Sequence, residues 1–196
     1  MIPVLGQLPK SLNVNGTEYE IRSDFRNILT IFEAFDDDSL TNEDKAYVLL
    51  TRIYIDLDKI PKKDFTAAYE AAVKFIEGGT VSKGKKTPYR LFNWIKDEQM
   101  IFPAVNKVAG CEVRLVDYMH WWTFLGYFGN VDKDDLWSFV LSIRQKRAKG
   151  KKLETWEREF LNANRELCSI ESTVSAKTAE NALAEMFNAL TEGGEE

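Results

Sequence analysis

From Phe25 to Leu167, large apolar residues recur at three- and four-residue intervals, the spacing that lines them up along one side of a helix. Glycine, proline and acidic clusters interrupt these stripes. Each stripe has to bury its apolar side against another, which predicts a mainly α protein, a helical bundle of about seven helices. Core material is ample: 44% of the 196 residues are hydrophobic and 12% aromatic, which excludes a globally disordered chain.

One β element precedes the helices. Leu12-Asn13-Val14 and Glu18-Tyr19-Glu20-Ile21 flank Asn15-Gly16-Thr17, and Asn-Gly favours the positive φ values of a tight turn. This predicts a small N-terminal β-hairpin, too small to stand without a helical partner. Ser23 or Asp24 then caps a helix with the apolar set Phe25, Ile28, Leu29, Phe32 and Phe35. Thr41, with Asp44 three residues on, caps a second helix carrying Ala46, Tyr47, Leu50 and Tyr54. Pro61 precedes a third helix through Phe65, Tyr69, Ala72, Val73 and Ile76, stopped by Gly78-Gly79.

Ser82 to Pro88 is the best linker in the chain. It suggests residues 1–80 as hairpin plus helices and 88–168 as a helical region, either separate or continuous, followed by an acidic, mobile tail over 169–196. In the second region Leu91 to Val108 reads as a helix kinked or restarted at Pro103. Asp117 can cap an aromatic helix through Tyr118, Trp121, Trp122, Leu125 and Phe128. Asp132 opens another with Leu136, Phe139, Val140 and Ile143 buried, and Leu153 to Leu167 forms the last strong one. The expected core centres on Phe25, Phe32, Tyr69, Phe92, Trp121, Trp122, Phe139 and Trp156.

No apolar run approaches the roughly 20 residues that span a bilayer. The N-terminal MIPVLGQLPK does not read as a signal peptide, and two cysteines, Cys111 and Cys168, suit a reducing cytosol. His120 is the single histidine, wedged between Met119 and Trp121, where packing outranks catalysis. One His and two distant Cys lack zinc spacing, and Asp36-Asp37-Asp38 lacks the spaced ligands of a calcium loop. Gly78-Gly79 has no downstream Gly-Lys-Ser/Thr to cradle phosphate. The expectation is a protein without enzymatic activity, cofactor or metal.

Charge is distributed more tellingly. Ile143 to Arg165 carries eight basic residues against three acidic ones, whereas Ile170 to Glu196 carries six glutamates against one lysine. A solvated or protein-docking face outranks nucleic-acid binding here, because a compensating acidic tail follows the basic patch directly. The aromatic run around Tyr118, Trp121 and Trp122 is either a helix buried on several sides or a partner-binding surface. Tyr118, Trp121, Trp122, Arg144, Lys149, Lys151 and Lys152 are therefore the candidate partner-binding residues. Self-association through opposite charges, or through the hairpin edge, is a further expectation.

Asp117-Tyr118-Met119-His120-Trp121-Trp122-Thr123-Phe124, followed by Leu136, Phe139, Ile143 and Arg144, resembles the bacteriophage gene-product-fifteen family. So does the order before it: the hairpin, then Ile21-Arg22-Ser23-Asp24-Phe25-Arg26, then a helix with Asp97-Glu98. The similarity runs from about Leu12 to Leu167. It implies a protein of long-tailed phages of Gram-positive bacteria, encoded where tail assembly chaperones are found. The implied role is an assembly factor in the host cytoplasm that binds the tape measure protein, helps recruit the major tail protein and is absent from the mature virion. A structural head–tail or tail component, or a nucleic-acid-binding regulator, is the alternative. No catalytic residue is implied, and for His120, Trp121, Trp122 and Arg144, which match the family's motif positions, a structural reason outranks a functional one.

Overall fold

The computed structural model describes residues 6–79 and 91–169. The proposed linker over Ser82 to Pro88, and the acidic tail expected beyond Ser169, lie outside the described residues. Within them the protein is mainly α, with seven helices and one two-stranded antiparallel hairpin. The described residues form two compact units, one from residues 6–79 with 117–125, the other from 91–116 with 126–169. The chain thus returns to its first unit after entering its second.

In the first unit, β1 (Ser11–Val14) and β2 (Thr17–Glu20) pair with Leu12 opposite Tyr19 and Val14 opposite Thr17. Asn15 and Gly16 take positive φ at the turn, and the Asn13 side chain accepts the Gly16 N–H. Val14 is buried, and β1 packs on α3 (Phe65–Ile76), the helical partner that so small a hairpin requires. Asp24 caps α1 (Phe25–Asp36), and Thr41 with Asp44 forms the expected reciprocal box at the start of α2 (Asn42–Ile53). The buried stripe of α1 is Phe25, Ile28 and Ile31, so Ile31 rather than Leu29 completes it. On α2 Leu49 is buried in the place expected for Tyr47, which is 64% exposed.

In the second unit, α4 (Glu98–Ala109) runs through Pro103 and ends at Gly110 in the left-handed region. Its start lies later than the apolar pattern implies. The Asn93 side chain accepts the N–H groups of Ile95 and Lys96, which holds residues 93–96 in a turn instead of a helix. Two further helices follow, α6 (Leu136–Ala148), capped by Asp135 rather than Asp132, and α7 (Thr155–Ala163). Trp137 is buried on α6, while Leu136 is half exposed. Trp156, expected in the core, is 58% exposed and lies flat on Phe139 at 5.1 Å. Between α4 and α6 in sequence comes α5 (Trp121–Gly129), whose first five residues belong to the first unit.

Candidate functional site

The two sequence stretches 21–26 and 118–124 meet in the first unit and form one site. Asp24 and His120 make an antiparallel bridge, closed by Phe25 N–H on the Met119 carbonyl at 3.0 Å and Trp121 N–H on the Ser23 carbonyl at 2.8 Å. This extended pairing is why α5 starts at Trp121 and not, as the sequence suggested, after Asp117. Ser23 Oγ and the Tyr118 hydroxyl share a hydrogen bond at 2.8 Å, and Phe25 stacks on Phe124 at 4.5 Å.

Helix ends converge on this bridge, and each receives a side chain. Asp24 Oδ1 accepts the Arg26 N–H, capping α1, while its Oδ2 accepts the Met119 N–H at 3.0 Å. His120 does the same for α5: its carbonyl accepts the Phe124 N–H and its ring Nδ1 accepts the Trp122 N–H at 3.0 Å. Nε2 therefore carries the proton and donates to the Pro9 carbonyl at 2.9 Å. Burial holds the His120 pKa below the ordinary imidazole value, partly opposed by the bond to Pro9. Both ring nitrogens are occupied, so no lone pair is left to activate a nucleophile.

Cations and indoles close the other two ends. The Arg22 guanidinium donates to the carbonyls of Thr51 at 3.0 Å, Tyr54, and Ile55 at 3.2 Å, finishing α2. Trp121 and Trp122 each donate their indole N–H at 2.8 Å, to the carbonyls of Ile76 and Phe75 in the last turn of α3. The Phe75 carbonyl also accepts the Gly78 N–H at 3.1 Å, so the indoles add to a helix end that the backbone closes only in part. Gly79 follows with φ +77°, and a Cβ there would stand 2.9 Å from Trp122 Cη2. The glycine pair thus both ends α3 and makes room for the second indole.

A second cluster lies in the other unit. Arg144 is 5% exposed and grips Asp97 with two bonds at 2.7 and 2.8 Å, also donating to the carbonyls of Leu91 at 3.0 Å and Leu167 at 2.7 Å. Asp97 in turn accepts the Asn93 N–H at 2.9 Å. The structure therefore gives Arg144 an interior task, in place of the partner contact expected for it. Trp121 is likewise buried, Trp122 half-buried and Tyr118 half exposed, whereas Lys149, Lys151 and Lys152 are exposed. Sequence reasoning missed Arg22 and Asp97 as partners, although both fell within the stretches that carried the resemblance.

The family model described as Bacteriophage Gp15 protein matches residues 4–170. The chain belongs to the bacteriophage Gp15 family. No curated protein and no solved structure matches it. Membership sets this Gp15 chain among structural or virion-associated phage proteins.

The described part of this Gp15 protein holds no group of three or more His, Cys, Asp or Glu side chains able to bind a metal ion, and no helix long and apolar enough to cross a membrane. It does hold an open groove of about 770 Å³ between α1 and α2, lined by Asn27, Thr30 and Ala34 on one side and Tyr47, Val48 and Thr51 on the other.

Proposed function

We propose that this Gp15 protein is a tail assembly chaperone, acting in the host cytoplasm, that binds the tape measure protein and assists assembly of the tail tube. Family membership over residues 4–170 carries the reading. A tape measure is an elongated helical protein whose apolar stripe has to be covered until the tube surrounds it. The α1–α2 groove suits a helix laid into it, with the exposed Tyr47 as an anchor on its wall. The capped bridge contributes rigidity, since the start of α1 and the end of α2 are both held by residues 22–24.

Co-expression of the full chain with the tape measure from the same phage tests this. A complex that co-purifies is the expected result, with Tyr47→Glu weakening it and leaving thermal stability unchanged. Failure to co-purify, together with the protein present at fixed copy number in purified virions, identifies a structural component instead.

A further inference from the structure

The basic segment of the second unit looks different once its contacts are known. Arg144 is committed to Asp97, and Lys146 is committed to Glu157 at 2.5 Å. What remains open is the turn that ends α6. Lys151 N–H bonds to the Lys146 carbonyl, Gly150 N–H to the Arg147 carbonyl, and Gly150 takes φ +63°. This tight closure projects Lys149, Lys151 and Lys152 in one exposed run with no acid among them. Four residues on stands Trp156, 58% exposed on its Phe139 platform, with Phe160 edge-on to the same ring at 4.7 Å.

The chain leaves the described structure beside this face. Arg147, on the last turn of α6, donates to the Cys168 carbonyl at 2.7 Å, and Arg144 donates to that of Leu167. The residues that follow, 170–196, carry six glutamates against one lysine. Leu183, Met186, Phe187 and Leu190 lie at the i, i+3, i+4, i+7 spacing of a helix that docks by one apolar side.

We infer that residues 178–192 of the same chain dock on this face, the glutamates against Lys149, Lys151 and Lys152 and the apolar stripe against Trp156. Charge complementarity selects the occupant, and the tether decides between this chain and a second copy. Thr178 lies ten Cα steps beyond Cys168, a reach of roughly 35 Å when extended. A tether that short holds its segment at an effective concentration in the millimolar range, above that of free copies in dilute solution. An acidic partner that engages the lysine run has to displace this segment first.

Zero-length carbodiimide cross-linking of the full-length protein, with equal parts unlabelled and ¹⁵N-labelled chains, tests the inference. Expected are links from Lys149, Lys151 or Lys152 to Glu180, Glu185 or Glu192, all within single-isotope chains and independent of protein concentration. Their yield falls as salt rises from ~0.1 M to ~1 M and the screening length shrinks from ~10 to ~3 Å. The link between Lys146 and Glu157 persists and serves as the internal reference for folding and reagent. Trp156→Ala and Phe187→Ser each lower the tail links severalfold against that reference. Mixed-isotope links only would assign the face to a second copy and overturn the inference. So would tail links spread evenly over Lys107 and Lys133, or no tail links at all.

Discussion

Asp24 and His120 pair backbone to backbone across the first unit, and each is also the cap of the helix that follows it. One short bridge therefore sets where α1 and α5 begin. Asp24→Ala removes the cap of α1, a loss of about 0.5–2 kcal/mol, and leaves the Met119 N–H without its acceptor, a further ~1–3 kcal/mol. Asp24→Asn keeps an acceptor for the cap and costs less. Urea denaturation of both variants checks this; equal losses would mean that the Arg26 ion pair, not the cap, dominates.

His120 makes the bridge sensitive to acid. Its folded pKa lies below the ordinary value near 6.5 because burial disfavours the charged ring. A depressed pKa contributes stability that is whole above the unfolded value and is lost as pH falls from there through the folded value. Protonation also turns Nδ1 into a donor facing the Trp122 N–H, which destroys the cap. His120→Asn retains a capping side chain without the titration. The stability difference between wild type and this variant is expected to shrink from about pH 6.5 downward, and parallel pH profiles would refute the assignment.

The tryptophans separate by burial. Trp121 is 1% exposed and donates to the Ile76 carbonyl, so Trp121→Ala should cost about 3–5 kcal/mol. Trp121→Phe restores ring volume but leaves the carbonyl unpaired, an expected loss of about 1–3 kcal/mol. Trp156→Ala removes an exposed ring and should cost about 1 kcal/mol or less. Thermal denaturation of the three variants gives the order directly, and a larger loss at Trp156 than at Trp121 would reverse the account.

Helix number, the hairpin, and the Asp24 and Thr41 caps were legible because periodicity and capping chemistry are local. What escaped was set by contacts between distant segments. Asp117 had the sequence context of a cap, yet the pairing of 118–120 with 23–25 moved the start of α5 three residues on. Tyr47 and Leu49 are both apolar enough for a core, and only the approach of neighbouring helices makes Leu49 the inward one. Trp121 and Trp122 were recognised as important, but not as donors to α3, since nothing in their own segment names Phe75 or Ile76. Arg144 sat in a run of basic residues, and although a structural reason was favoured for it, its partner could not be named, because Asp97 lies far away in sequence.

The Asp97–Arg144 pair supplies the last prediction. Both side chains are about 6% exposed, and the guanidinium meets two carboxylate oxygens and two backbone carbonyls. Removing one partner strands the other charge in the interior, so Arg144→Ala and Asp97→Ala should each cost about 3–5 kcal/mol. In the double variant neither charge is stranded, and the loss should fall well short of the sum of the two. Arg144→Lys should not rescue, because a single ammonium cannot reproduce a planar fork that also reaches Leu91 and Leu167. The Leu91 and Leu167 carbonyls lose their donor wherever Arg144 becomes apolar, so even an apolar pair of matched volume should remain below wild type. Urea titrations of the four proteins test the coupling. Additive losses would mean that each residue acts through its backbone contacts alone, and that the ion pair itself contributes little.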